Sequence, residues 1–187
     1  MPIDRPAAER AIYDFLRALG QTPDESSELK DTPRRVAEAY EDELLSGYRV
    51  DVPKLLSSGS PVGSPGLVVL RGAFISTMCP HHLLPSMGTA TVAYVPGERL
   101  FGLGVLAELL DAFSRRLGLQ EEIGQNVVRA LMQHGGAVGA YCSLELVHAC
   151  FAARGPRRPE ARVLTVARAG SLPETDIAQL HTTSDAS

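Results

Sequence analysis

Apolar positions recur with helical spacing near the start of the chain, at Ala8, Ile12, Phe15, Leu16 and Leu19. They predict an amphipathic helix over residues 7–19, stopped by Gly20. A second helix opens at Asp31-Thr32-Pro33, where Asp31 or Thr32 caps the end and Pro33 suits the first turn. It continues through Val36, Ala37, Tyr40 and Leu44 to about Gly47. Residues 57–66 are rich in Ser, Gly and Pro and read as an exposed loop. Residues 67–70 and 73–77 read as strand broken at Gly72. Residues 88–95 alternate with period two and close in a Pro96-Gly97 turn. Two helices are predicted next, over 103–117 and 120–134, the second ended by Gly135-Gly136. Residues 138–151 read as one long strand, and from about Glu174 the chain turns polar and frayed. Helices first, then strands, a helix pair and a further strand imply an α+β fold with an antiparallel sheet.

Composition narrows the function classes. The 187 residues are 44% hydrophobic, enough for a packed core in one domain with an N-terminal extension. A net charge of -4 gives no electrostatic reason to expect nucleic acid, although Arg154, Arg157, Arg158, Arg162 and Arg168 cluster locally. No stretch has the apolar length of a membrane span, and the N-terminus lacks the pattern of a signal peptide, so a cytoplasmic location is expected. Three cysteines are too few and odd for a disulfide scaffold.

The candidate chemistry sits at Cys79-Pro80-His81-His82 and His148-Ala149-Cys150. A Cys and a His three apart on a tight turn, stiffened by Pro80, can share one tetrahedral metal. On a regular strand His148 and Cys150, two apart, would project from one face. Two Cys with one or two His suit zinc rather than magnesium or calcium, and three protein ligands leave a fourth position for water. A single Cys-x-x-His is weak by itself, since buried free cysteines are common. Cys142 reads as a core residue, His134 as a cation at a helix C-terminus, and His181 as part of the tail.

The Cys-x-His-His segment, the strand within GTATVAYVPGERLFGL, the helix containing SRRLGLQEE, and VHACFAARG resemble the GTP cyclohydrolase I family in order and spacing. Asp31-Thr32-Pro33-Arg34-Arg35-Val36-Ala37 resembles the start of that family's N-terminal helix. The resemblance implies the tunnelling fold: a four-stranded antiparallel sheet with two helices on one face, preceded by N-terminal helices. On that reading residues 1–56 are a helical region, 57–66 a loop, 67–173 the catalytic domain and 174–187 a disordered tail. It further implies a homo-oligomer, usually a decamer. Zn2+ would be held by Cys79, His82 and Cys150, with His81 and His148 as acid–base residues. Gln120 and Glu121 would grip a guanine-type base, with Arg35 and Arg154 kept among the substrate-binding cations. The implied activity is opening of the imidazole ring of a purine, with formate release.

The chain departs from the family pattern mainly at the phosphate-binding positions. Gly104, Val105 and Glu108 stand where the family carries Ser, Lys and Arg, and Glu38 where it carries Lys. Pro80 replaces a Glu, and Ala161-Arg162-Val163-Leu164-Thr165 replaces a Thr-rich segment. A substrate with a purine- or pterin-like ring and little phosphate is expected, with Arg157, Arg158 and Arg162 as an alternative phosphate grip. Two other functions stay open: a tunnelling-fold relative acting on a pterin or deazapurine without ring opening, and a non-catalytic zinc-bearing scaffold.

Overall fold

The computed structural model describes residues 3–24, 28–63, 66–173 and 180. The chain divides into two compact units, Met1–Ser46 and Gly47–Ser187. In the first, α1 (Arg5–Ala18) is capped by the Asp4 carboxylate, which accepts from the Ala7 N–H at 3.0 Å. It packs against α2 (Thr32–Glu38), which runs on into a π-helical stretch, Ala39–Leu44. The expected second helix is therefore present, but its last turns are widened. Arg5 ties the two together by bonding Glu41 and, at 2.7 Å, Asp42.

The second unit holds the sheet. After α3 (Val52–Leu55), a two-residue strand β1 (Ser60–Pro61) lies inside the expected 57–66 loop and pairs with β4 (Arg99–Leu100). The main sheet has the order β2-β3-β5-β6 and is antiparallel throughout: β2 Val68–Met78, β3 Pro85–Val95, β5 Gly139–His148 and β6 Val163–Gly170. The break expected at Gly72 is a register shift between Leu70 and Ala73. Gly72 takes φ +69°, a value that side chains with a Cβ resist. β3 and β5 approach so closely at Gly88 that a Cβ there would lie 2.0 Å from the Glu145 carbonyl oxygen.

Two helices cover one face of this sheet, α4 (Leu103–Ser114) and α5 (Gln120–Gln133). Leu106, Leu109 and Leu110 of α4 and Ile123, Val127 and Leu131 of α5 are buried against Ile75, Ala90, Val92, Cys142, Leu144 and Leu146. These strand residues sit two apart, as period-two alternation requires. Tyr94 is buried among them, and its hydroxyl accepts the Phe101 N–H at 2.7 Å, so no polar atom of that ring is stranded. The opposite face stays largely open: Phe74 is 70% exposed, and Met87, Leu164 and Val166 are exposed beside it. Among the described residues only its far end is covered, where Leu180, Leu67 and Leu172 pack on Ala93 and Tyr141. Apart from Leu180, the expected tail and His181 lie outside the described residues.

The strand expected over 138–151 needs correction. It ends at His148, and Ala149–Ala152 forms a helical turn, α6. The sheet partner runs out there, because β3 begins at Pro85 and its last register pair is Ser86 with His148. Cys150 is therefore placed by a helical turn, not by alternation along a strand.

Candidate metal centre

Two chain reversals bring the site together. The connection from β2 to β3, residues 79–84, is closed by Leu83 N–H to Cys79 O at 2.9 Å and Cys79 N–H to Leu84 O at 3.0 Å, with Leu83 at φ +51°. This folds His81 and His82 back over Cys79, whose Sγ lies 3.9 and 3.8 Å from their respective Nδ1 atoms. The connection from α4 to α5 passes beside the end of β2: Met78 bridges Leu117, and Gly118 N–H reaches Met78 O at 3.4 Å. That contact delivers the first turn of α5, Gln120 and Glu121, to the loop carrying Cys79.

The ligand atoms of Cys79, His82 and Cys150 all lie within 4.8 Å of one another. Tetrahedral zinc with bonds of about 2.3 Å to sulfur and 2.0 Å to nitrogen needs neighbouring ligand atoms about 3.5–3.8 Å apart. The Cys79–His82 spacing of 3.8 Å meets that requirement without rearrangement, and the two-thiolate, one-imidazole set matches zinc chemistry. The Cys150 thiol is pushed up by burial and by the adjacent Cys79, while Arg154 acts in the opposite direction. A bound cation would reverse that balance, since coordinating thiols are deprotonated. Cys142 is a core residue, as expected: it is fully buried, and burial pushes its thiol up to about 12.

These side chains open into a cavity of about 210 Å³, lined also by Thr77, Ser86, Gln120, Glu121 and His148. Glu121 is exposed in the first turn of α5. Gln120 is only 3% exposed, and both ends of its amide are engaged. Its Nε2 donates to Leu144 O at 3.0 Å, Val163 O at 2.8 Å and Thr165 Oγ1 at 3.2 Å, while its Oε1 lies 2.7 Å from His148 Nε2. The other ring nitrogen of His148 lies 2.9 Å from Ser86 Oγ. Arg154 is exposed beyond α6, close enough to act on Cys150. Arg35 lies in the other compact unit, on α2, its side chain 69% exposed and 3.6 Å from Asp31. Ser86 and Thr165 are polar contributors that motif reading passes over. The signal for Ser86 is its place two residues from Gly88 and four from Ala90, a hydroxyl on the core-facing row of β3.

The family model described as GTP cyclohydrolase I matches residues 8–184. The chain belongs to the GTP cyclohydrolase I family. Among curated relatives, "GTP cyclohydrolase 1" of Chromobacterium violaceum is 42% identical over 175 residues, covering 94% of this chain and 84% of the relative. The protein of the same name from Fusobacterium nucleatum is 33% identical, over 93% of this chain and 91% of its own length. That from Streptococcus pneumoniae is 36% identical, over 93% of each. A solved structure, the archaeosine synthase QueF-Like in the apo form, aligns at 18% identity and TM-score 0.47 over 59% of this chain and 99% of its own, too slight a likeness to bear on function. Membership of the GTP cyclohydrolase I family makes this protein a cyclohydrolase. The sheet with two helices on one face, preceded by N-terminal helices, is the tunnelling fold that the sequence led us to expect. No helix among the described residues is long and apolar enough to cross a membrane.

Proposed function

We propose that the protein is a cytoplasmic zinc-dependent cyclohydrolase that opens the imidazole ring of a guanine-type purine and releases formate. The observation carrying this reading is the convergence of Cys79, His82 and Cys150 within 4.8 Å beside a cavity that also holds His148 and Glu121. Cys79, His82 and Cys150 would hold the ion. When bound, zinc supplies Lewis acidity sufficient to make water a nucleophile at neutral pH. The protein groups do the rest. Glu121 accepts the ring N–H and amino donors of a guanine-type base in a fixed fork, which sets the ring in place. Water adds to the carbon between the two imidazole nitrogens, losing one proton as the adjacent ring nitrogen gains one. The ring C–N bond then breaks to leave a formamide, and a second water cleaves the formamide C–N bond to give formate and the free amine. His148 and His81 are the groups for these proton transfers, an imidazole offering a donor and an acceptor nitrogen on one ring. Gln120, with both amide ends engaged inside the protein, supports His148 and contacts the base only through its place beside Glu121.

The substrate is either GTP or a relative with less phosphate. Among the described residues the cavity lining includes Glu121 but no lysine or arginine, and Gly104 and Glu108 are exposed on α4. This favours the less phosphorylated substrate, with Arg154 as the cation for any phosphate present. Formate release from GTP, guanosine and guanine, with the metal content measured in the same preparations, tests the reading. Cys150→Ser is expected to lose both zinc and turnover. Full activity in a metal-free Cys150→Ser protein refutes it. We further propose a homo-oligomer, supported by the open apolar sheet face around Phe74, Met87, Leu164 and Val166 and by the outer strands β2 and β6.

A further inference from the structure

We infer that Ser86 is a positioning residue for His148, holding the imidazole in one orientation through its Nδ1. The inference deepens the proposed function and rests on the place given there to His148 beside the reacting ring. Ser86 and His148 are cross-strand partners on β3 and β5, on the helix-covered face of the sheet, with Oγ and Nδ1 2.9 Å apart. Ser86 is 1% exposed and lines the cavity.

The hydrogen-bond directions follow from Gln120. Its Nε2 faces two backbone carbonyl oxygens, Leu144 O and Val163 O, which can only accept. The amide therefore cannot be flipped, and its Oε1 must accept from His148 Nε2 at 2.7 Å. Nε2 thus carries hydrogen, and in the tautomer this sets, Nδ1, the nitrogen facing Ser86, is the acceptor. A hydroxyl is suited to that place. It donates to Nδ1, closing a line of hydrogen bonds from Gln120 through His148 to Ser86. A carbonyl oxygen in that place could not donate to it. In a buried position, a side chain without a hydroxyl would leave Nδ1 unpartnered and the ring free to swing about its χ2.

Ser86→Ala adds no bulk and is the direct test. Its kcat for GTP or guanosine should fall about 10- to 100-fold, with KM and zinc content near wild type. Ser86→Thr and Ser86→Val control for packing, since they share one shape and differ in the hydroxyl. Thr should exceed Val by about 10-fold in kcat. Wild-type kcat in the alanine variant, or equal kcat in the Thr and Val variants, overturns the proposal. Nitrogen-15 spectra of histidine-labelled protein, with the His148 signal assigned by its loss in His148→Asn, give a readout independent of turnover. The Nδ1 resonance should match between wild type and Thr and move to that of an unbonded nitrogen in Ala and Val. An unmoved resonance overturns the proposal even if the wild type releases no formate, an outcome that would sink only the proposed function.

Discussion

Replacing Gln120 with methionine separates a supporting amide from a substrate-reading one. Methionine keeps the length and shape of the side chain but removes both hydrogen-bonding ends. Three partners lose their bonds inside the protein: the carbonyls of Leu144 and Val163, bonded at 3.0 and 2.8 Å, and the His148 Nε2–H, bonded at 2.7 Å. Thr165 Oγ1, at 3.2 Å, can turn elsewhere. Each buried group left unsatisfied costs about 1–3 kcal/mol. Relaxation, and the better burial of methionine, offset part of the sum. A net loss of about 2–4 kcal/mol is expected, which for a chain of this size lowers Tm by about 5–15 °C. Calorimetry or urea denaturation reads the stability, and steady-state kinetics read the function. The expected kinetic signature is a fall in kcat with little change in KM, because the amide acts through His148. A variant as stable as wild type, whose defect is confined to KM, would show that Gln120 reads the base directly and would refute this assignment.

Other expectations follow from single features. Glu121→Gln removes a carboxylate that would bind ring donors with charge-assisted bonds, so KM for guanosine should rise about 10- to 100-fold while zinc content stays constant; equilibrium binding checks this. Cys142, buried with its thiol pushed up to about 12 against 9.0 for a free thiol, should resist alkylation at pH 8 in native protein while metal-free Cys79 and Cys150 react. Because the folded value is the raised one, this thiol's contribution is complete below pH 9 and is lost as pH climbs toward 12. The slope approaches about 1.4 kcal/mol per pH unit, and denaturation of Cys142→Ala across that window should show a flatter decline. Gly88→Ala would put a methyl 2.0 Å from the Glu145 carbonyl oxygen, so β3 and β5 must separate at a cost of about 1–3 kcal/mol, measurable by denaturation.

Much of the fold can be read from periodicity alone, because one side of each major element is buried. α4 and α5 begin at or near their expected starts, since their apolar rows face a sheet and break where the chain must turn. β6 escapes the same reasoning. Its helix-facing row is Val163, Thr165, Ala167 and Ala169, small or polar after the first, while the bulkier Leu164 and Val166 point to the open face. The usual contrast of large apolar residues inward and polar ones outward is inverted there, so alternation gives no strand signal. The fourth strand is implied by family resemblance alone. The π-helical widening at Ala39–Leu44 is likewise silent in the sequence, because its residues read as ordinary helix formers.

The site is legible to the extent that its chemistry is carried by rare residue types. Cys79, His82 and Cys150 stand out by identity, and the structure brings their ligand atoms together even though the strand argument for Cys150 fails: α6 turns that thiol toward Cys79 where alternation would have served only a longer strand. The groups that orient the chemistry are common residues whose meaning lies in register. Ser86 matters because β3 and β5 pair it with His148, and Gln120 because the Met78–Leu117 bridge sets the start of α5 beside the strand ends. Neither relation is local in sequence. A candidate ligand set can thus be read from short motifs, while the hydrogen bonds that orient the His148 imidazole emerge only once the sheet register is known. Substitutions at Ser86 and Gln120 should accordingly alter rate before they alter metal content, whereas substitutions at Cys79, His82 or Cys150 should alter both together.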